Sequence, residues 1–330
     1  MSVYAPAMVN LWLTIESYGI DPLPLFKDEG INVQLPIDPC LRLPYSKIDR
    51  LRAKAIALCK DEAFGLRSAS FYQPSQYGAL GYAWHVSLTL RKAFLRLERF
   101  VRILNDRATV EVKDRNGCMV VTLGMDFPTA SGFARDDGAF ASITKMCRMV
   151  SGDHFRLHSV NFKHAEPHDI KPYFEFFACQ LNFDQAENQI LFPLSLADEI
   201  LAGANPELAV LNDHVVTRRL ASIDREDIVA RVQSVLMEQL PHGNVSDDSV
   251  ADALYMSVRT MHRKLSEVDS NFRSLLVGVR RNLAEMYILD NSLTLTEISL
   301  LLGFSEPSSF SRAYKNWTGT APSEARQARK

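Results

Sequence analysis

Two stretches near the C-terminus decide the fold of this chain: SDDSVADALYMSVRTMHRKL (Ser246–Leu265) and TLTEISLLLGFSEPSSFSRAYK (Thr294–Lys315). Each stretch has two short runs in which apolar residues recur three or four positions apart, separated by a tight turn. That spacing is typical of amphipathic helices, and Met261 and Leu265 show it in the second run of the first stretch. Each stretch therefore predicts a helix–turn–helix unit.

The two stretches are copies of one pattern, about fifty residues apart. The matched positions are Met256-Ser257 with Phe304-Ser305, and Met261-x-Arg263-x-Leu265 with Phe310-x-Arg312-x-Tyr314. Any two short amphipathic helices imitate a single helix–turn–helix, whereas two copies in register are far harder to obtain by chance. Between the copies, an apolar stripe over 272–287 predicts one long connecting helix.

The second stretch and the residues after it resemble the signature of the AraC/XylS family of bacterial transcription regulators. The matching residues are Gly303-Phe304-Ser305, Ser308, Phe310-Ser311-Arg312-Ala313-Tyr314-Lys315, Trp317, Gly319 and Pro322. Pro307 and Ala321 depart from the signature. Proline is accepted in a first helical turn, because its missing N–H has no partner to lose there. The resemblance implies an all-α DNA-binding domain with two helix–turn–helix units joined by a long helix.

The N-terminal part resembles one subgroup of the same family, whose N-terminal domain is called arabinose-binding-like. The matching residues are Tyr77-Gly78, Gly81-Tyr82, Thr89-Leu90, Ala93, Phe162, His164, Pro167, Tyr173, Phe176-Phe177, Phe183, Asn188, Phe192 and Ala204-Asn205-Pro206-Glu207-Leu208. With both parts included, the resemblance covers nearly the whole chain. It implies an effector-sensing or dimerising domain ahead of the DNA reader, and the name of that domain reports relatedness rather than a ligand.

The hydrophobic period of the N-terminal part changes from 3.6 to 2 after Asp106. Helical spacing predicts helices over 8–20, 46–62, 77–104 (as two helices) and 134–150. Alternation predicts a β-hairpin around Asn116-Gly117, and further extended segments at 155–162, 174–177, 181–183 and 189–192. The pattern favours an α+β sensing domain of helices plus an antiparallel sheet. The aromatic residues of these segments fit either a plain core or an apolar pocket, and we favour the core.

Length and composition agree with two domains. The chain has 330 residues, of which 47% are hydrophobic and 23% charged, enough for roughly two globular cores. A short segment at 217–227 is charged and poor in apolar residues. We therefore expect an N-terminal effector-binding or dimerisation domain over 1–216, a linker over 217–227 and the DNA-binding domain over 228–330.

The charge of the chain is local rather than global. The formal net charge of −2 counts against a general polyanion binder. Between Ser257 and Arg281, however, basic residues outnumber Glu267 and Asp269; they are Arg259, Arg263, Lys264, Arg273, Arg280 and Arg281. Positive charge concentrated at a docking face is what a specific DNA reader needs.

We expect the outward side chains of the two recognition helices to contact DNA in the major groove. In the first unit these are Arg259, His262 and Arg263, flanked by Thr260 and Lys264. In the second unit they are Ser308, Ser309, Ser311 and Arg312, with Lys315 near phosphate. The longer side chains of the first unit predict that it supplies more of the sequence specificity. Alternatively, Arg263 and Arg312 brace their helices through ion pairs, His262 is merely solvated, and the helix starts near Ser246 and Thr294 contact phosphates.

Other chemistry finds little support in the residues. Cys40, Cys59, Cys118, Cys147 and Cys179 lack metal spacing, and their odd number suits a reduced cytoplasm. No secretion signal or membrane-spanning run is visible, so we expect a cytoplasmic location. The histidines that invite a metal site are His154, His158, His164 and His168. No cysteine or carboxylate stands at a convincing zinc spacing beside them, so we expect no metal and no cofactor.

The sequence therefore predicts a DNA-binding transcription regulator that acts as an activator and is no enzyme. Its expected partners are double-stranded promoter DNA, RNA polymerase, a second copy of the chain and a small-molecule effector. One alternative is an effector-independent DNA-bending protein, which would show little sequence preference. The other is a thiol enzyme fused to a DNA-binding domain, in which Cys118, Cys147 or Cys179 pairs with a histidine.

Overall fold

The chain folds into two compact units, 1–205 and 206–330. The computed structural model describes residues 2–32, 37–38, 40–125, 129–223, 228–243, 245–288, 290 and 293–327. The first unit combines helices with sheets, and the second is helical throughout its described residues. This division confirms an α+β domain followed by an all-α domain.

The helices of the first unit surround and extend its sheets. They are α1 (Met8–Glu16), α2 (Pro22–Asp28), α3 (Tyr45–Cys59), α4 (Phe64–Arg67), α5 (Gly78–His85), α6 (Leu90–Phe100), α7 (Ala134–Ser151), α8 (Lys171–Phe177) and α9 (Leu194–Ala197). The strands are β1 (Ser2–Tyr4), β2 (Arg42–Pro44), β3 (Ala108–Arg115), β4 (Cys118–Met125), β5 (Ser159–Asn161), β6 (Gln180–Asn182) and β7 (Asn188–Pro193). β1 and β2 form a small antiparallel sheet of their own.

The larger sheet has the strand order β3-β4-β7-β5-β6. The predicted hairpin is β3–β4, and its turn residues Asn116 and Gly117 have φ angles of 50° and 76°. Positive φ at both central residues is the requirement of a type I′ turn, which Asn-Gly meets readily. The sheet is mixed rather than purely antiparallel, because β5 and β6 run parallel. Helix α8 lies in the connection between them, which supplies the crossover that a parallel pair needs.

The extended segment predicted at 174–177 is wrong, because these residues belong to helix α8. Tyr173 and Phe177, four positions apart, are both buried, whereas Phe174 between them is 50% exposed. This is helical spacing, which a short run of aromatic residues conceals. The strand predicted at 155–162 is also shorter than expected, since only Ser159–Asn161 pairs with neighbouring strands.

The aromatic residues of the sheet region form a core. Phe162 lies at its centre, with the rings of Tyr173, Phe177 and Phe183 at centroid distances of 5.8, 5.7 and 5.2 Å. Phe162 has no exposed surface. Such edge-to-face and stacked pairs add to the hydrophobic gain of burial. These rings therefore stabilise the sheet against α8.

A polar network lies inside this core. The fully buried Asp137 accepts a hydrogen bond from the Tyr173 hydroxyl at 2.6 Å, and its other oxygen lies 3.1 Å from His164 Nε2. Burial lowers the pKa of His164, but the hydrogen bond and charge of Asp137 outweigh it, so the pKa lies above its ordinary 6.5. Burial in turn raises the pKa of Asp137. Because the folded pKa of His164 is raised, the stability from this bond is complete below pH 6.5 and is lost as the pH rises through the raised pKa.

This network predicts the outcome of an NMR titration of the histidine ring protons. In the wild type, the pKa of His164 should lie above 6.5. In Asp137→Asn it should fall below that value, because burial remains while the carboxylate is removed. An unchanged pKa of His164 in the variant would contradict the assignment.

The helices of the second unit share one core. They are α10 (Pro206–Ile223), α11 (Ile228–Gln239), α12 (Asp247–Ala253), α13 (Val258–Ser266), α14 (Phe272–Tyr287), α15 (Leu295–Leu301), α16 (Pro307–Thr318) and α17 (Pro322–Gln327). α12 and α13 form the first helix–turn–helix, α15 and α16 form the second, and α14 joins them. Residues of α11 to α16 contribute to a single buried cluster.

The residues at the starts of these helices are of types that favour a helix start. The Ser257 hydroxyl accepts the Thr260 backbone N–H at 3.2 Å and so caps the start of α13. Thr294 and Glu297 form a reciprocal capping box at the start of α15. Pro307 is the first residue of α16, where a missing N–H costs nothing. Local residue choice thus fixes where each helix of the two units begins.

The compact units divide before α10, whereas the predicted linker lies at 217–227. Residues 206–223 form one helix that packs against α11 and α14 in the second unit. Within it, Val216 and Leu220 are buried at helical spacing. Residues 224–227 lie outside the described part of the chain. The functional boundary over 217–227 stays a prediction.

Arg280 of α14 secures the second unit instead of adding to its exposed positive charge. Its Nε and Nη2 atoms donate to the carbonyls of Leu302 and Gly303, both at 2.9 Å, and its guanidinium lies 4.5 Å from the Phe304 ring centroid. These carbonyls follow the last turn of α15, where helical partners are missing. The inclusion of Arg280 in the DNA-facing charge is therefore wrong, because the half-buried side chain is already engaged.

We expect Arg280→Met to destabilise the second helix–turn–helix by about 1–3 kcal/mol, the cost of leaving buried hydrogen-bond acceptors without a partner. Hydrogen–deuterium exchange of the α15 and α16 amides measures this locally and should show roughly 5- to 150-fold faster exchange. Arg273→Met removes an exposed arginine from the same helix and is the matched control. Equal exchange in the two variants would contradict the role of Arg280.

Candidate nucleic-acid interface

Helix α13 presents one basic face away from the core. Met261 and Leu265 are fully buried, so the helical period turns Arg259, His262 and Arg263 outward, and all three are exposed. The side chains that flank this face, Thr260 and Lys264, are half-buried. The structure therefore brings the five predicted residues of the first helix–turn–helix onto one surface of α13.

His262 is not a freely solvated residue. Its Nε2 atom lies 2.5 Å from Asp247 Oδ1, in the first turn of α12. The bond ties the recognition helix to the helix that precedes it and leaves Nδ1 as the ring nitrogen available to a ligand. Both side chains are partly exposed. DNA contact through Nε2 would require this bond to open.

The basic residues of α13 differ in how firmly they are held. Arg263 forms an ion pair with Glu267 one turn later on the exposed side of the helix. Exposed pairs of this kind contribute only about 0.3–0.5 kcal/mol and exchange readily for a stronger partner. Arg259 and Lys264 make no hydrogen bond or ion pair within the described part of the chain. Arg259 is therefore the arginine of this face that is most available to an acceptor.

Helix α16 presents a shorter and less charged face. Ser308, Arg312 and Lys315 are exposed at helical spacing, opposite the buried Phe310 and Tyr314. Ser308 donates to the Glu306 carboxylate at 3.2 Å, and Arg312 Nη2 lies 3.5 Å from the Ser309 hydroxyl.

Two of the predicted serines of α16 are less accessible than an outward position implies. Ser309 and Ser311 are half-buried. Arg312 therefore has the longest reach among the polar side chains of this face. The arrangement is consistent with one long basic side chain, Arg312, for base contacts in the second helix–turn–helix.

The starts of α12 and α15 are poorly suited to bind phosphate. Asp247 and Asp248 occupy the first turn of α12, and the Glu297 carboxylate accepts the Thr294 backbone N–H at 2.7 Å. These carboxylates already satisfy the positive end of each helix dipole. They would also repel a phosphate group, so the hypothesis of phosphate contacts near Ser246 and Thr294 loses support.

The turn of the first helix–turn–helix contains a residue with an unusual backbone conformation. Tyr255 has a φ of 55° and stands where the second copy has Gly303, with a φ of 68°. An aromatic residue rarely adopts this left-handed conformation, which glycine adopts freely. The Tyr255 side chain is 97% exposed, so burial does not compensate for the strain.

Two candidate cysteines of the compact unit 1–205, Cys147 and Cys179, do not have the environment of a thiol nucleophile. Burial raises the pKa of the Cys147 thiol, and burial also raises the pKa of Cys179 to about 11. A reactive cysteine needs the opposite shift. Among the described residues, no three histidine, cysteine or acidic side chains are grouped to hold a metal ion. No helix in the same residues is long and apolar enough to cross a membrane.

Two family patterns match the chain. The family described as "Arabinose-binding domain of AraC transcription regulator, N-term" matches residues 19–201, more than half of the chain. The pattern described as "Helix-turn-helix domain" matches residues 250–328. Together they cover most of the sheet-containing unit and nearly all of both helix–turn–helix pairs.

Similar curated proteins extend over almost the full length. An ornithine utilization regulator of Pseudomonas aeruginosa is 29% identical, with 98% of this chain and 95% of that protein covered. The HTH-type transcriptional regulator VirS of Mycobacterium tuberculosis is 26% identical, with coverage of 96% and 95%. The crystal structure of the transcriptional regulator CdpR from Pseudomonas aeruginosa has a TM-score of 0.51 and 21% identity, covering 96% of this chain and 98% of CdpR. The last of these supports the fold alone.

Proposed function

This chain belongs to the AraC family of transcription regulators, and from that premise we propose how it reads DNA and controls transcription. It is a DNA-binding transcription regulator with two helix–turn–helix units in its second domain. We assign it the role of an activator, supported by similarity over part of the chain to the transcriptional activator NphR of Rhodococcus, which is 28% identical over 112 residues. The observation that carries the proposal is the pair of exposed recognition faces on one shared core.

Each chain places α13 and α16 in successive major-groove segments on one face of the DNA, about 34 Å apart. In the first segment Arg259 contacts guanine directly, and Arg263 releases Glu267 to do the same. Thr260 and Lys264 flank them, and His262 contributes through Nδ1 while its Nε2 keeps Asp247. The two available arginines give the first unit the larger share of sequence specificity.

In the second segment Arg312 is the principal reader. Ser308, Ser309 and Ser311 provide short hydroxyl contacts beside it, and Lys315 contacts phosphate. Phosphate contacts fix the register of the protein on DNA without carrying sequence information. The second unit thereby positions the chain and adds a smaller element of specificity.

The first domain forms a homodimer or binds a small-molecule effector, and so shifts how the second domain engages the promoter. An effector can cause such a shift only if it binds the two states with different affinity. RNA polymerase is the partner through which bound regulator raises transcription. Promoter DNA and RNA polymerase are cytoplasmic partners in bacteria, so we propose a cytoplasmic location. We also propose that the protein has no enzymatic activity of its own.

Selection of bound sequences from random duplex DNA tests this proposal. Wild-type protein at one fixed salt concentration should enrich a bipartite motif whose halves lie about ten base pairs apart. Arg259→Ala should relax the preference in one half and Arg312→Ala in the other, by about 5- to 150-fold per lost arginine–guanine contact.

Arg281→Ala is the matched control, because Arg281 is an exposed arginine of α14 outside both recognition faces. It should enrich the wild-type motif unchanged. Failure of folded wild-type protein to enrich any motif would overturn sequence-specific reading and favour the DNA-bending alternative. Equal blurring of both halves by each variant would overturn the assignment of one segment to each unit.

A further inference from the structure

The compact unit 1–205 contains a partly open cavity of about 250 Å³ that the aromatic core does not fill. It lies between α1, α3, α7 and the β3–β4 hairpin. Its wall is mainly apolar and includes Met8, Leu11, Ile48, Phe64, Phe140 and Ile143. An engineered apolar cavity of about 150 Å³ is large enough to bind benzene, so this one accommodates about ten non-hydrogen atoms.

Two polar atoms of the cavity residues are buried without a hydrogen-bond partner in the described chain. They are Nη1 of Arg52 on α3 and Oδ1 of Asn10 on α1. Buried polar groups are almost always paired, and an unpaired one requires an explanation. A bound ligand that accepts a hydrogen bond from Arg52 would provide one.

Other charged and amide groups of the wall are already engaged with each other. Arg135 Nε donates to Asp136 at 2.7 Å, and Asn188 Nδ2 donates to the second Asp136 oxygen at 2.9 Å. Asp136 is the acidic residue of the lining, and it pairs with Arg135 rather than with Arg52. Arg52 is thus the basic side chain of the wall that no acidic lining residue pairs with.

Asp49 lies one turn before Arg52 and attracts it, but its hydrogen-bonding capacity is used elsewhere. Its oxygens accept the Ala130 backbone N–H at 2.6 Å and the Ser131 hydroxyl at 2.6 Å, and also the Thr129 hydroxyl. Arginine keeps its charge in proteins, so burial does not neutralise Arg52. The guanidinium therefore remains a charged donor with an unused N–H.

We propose that this cavity binds an apolar monocarboxylate of about ten non-hydrogen atoms, with its carboxylate on Arg52 and its hydrocarbon body against the apolar wall. The guanidinium fork matches the geometry of a carboxylate, and Nη1 is the donor that has no partner in the described chain. The inference rests on the proposed effector control and names the chemical class of that effector.

Calorimetric titration of the full chain tests the inference with octanoate and phenylacetate, each beside its neutral amide. At least one acid should bind, about tenfold or more tighter than its amide. Arg52→Met should abolish this preference while keeping the shape of the wall. Arg115→Met is the control, because Arg115 is exposed at the end of β3, and it should keep the wild-type preference.

The stability of the ligand-free variants separates a lost site from a lost fold. Arg52→Met should melt at a lower temperature than wild type, because it removes the cation that attracts the buried Asp49, but it should still unfold in one cooperative transition. Arg115→Met should melt as wild type does. Absence of binding by both acids to folded wild type, or an acid preference that survives in Arg52→Met, would overturn the proposal. Neither outcome touches the DNA selection, which uses no ligand, so the two proposals fail independently.

Discussion

The apolar face of α14 is the constraint on which the DNA-binding unit depends. Phe272, Leu275, Val279, Leu283 and Met286 are buried along this one helix, in a core that both helix–turn–helix pairs share. Each such side chain contributes about 1.5–3 kcal/mol when fully buried. Neither recognition helix can therefore turn independently of the other without exposing part of this core. The shared core therefore fixes the position of the two recognition helices relative to each other.

The polar groups around this core fall into two classes with different consequences. Arg280 is half-buried and bonded to two carbonyls, so it maintains the fold and is unavailable to DNA. Arg259 and Arg263 are exposed, and among the described residues their one ion pair is the weak Arg263–Glu267 pair. Interactions that stabilise the unit are thus separate from those that DNA can replace. Binding can proceed without loosening the scaffold.

The sequence predicted the α+β and all-α units, the tandem helix–turn–helix pairs and the Asn116-Gly117 hairpin, because each has a local signature in periodicity or turn chemistry. It failed where the decisive partner is remote in the chain. The sequence around Arg280 does not distinguish it from the exposed arginines beside it. The sequence around His262 likewise does not predict its hydrogen bond to Asp247. The cavity around Arg52 was likewise invisible, because its wall comes from helices and a hairpin far apart in sequence. Helical geometry, in contrast, was enough to predict which residues lie on the recognition faces.

The most direct test of the account is the affinity of this protein for its selected duplex after five base pairs are inserted between the two halves of the motif. Because α14 fixes the two recognition helices, the insertion moves one half to the opposite face of the DNA. The account predicts a loss of at least about tenfold, toward non-specific affinity. Undiminished affinity would contradict the shared rigid support and show that each helix–turn–helix reads DNA on its own.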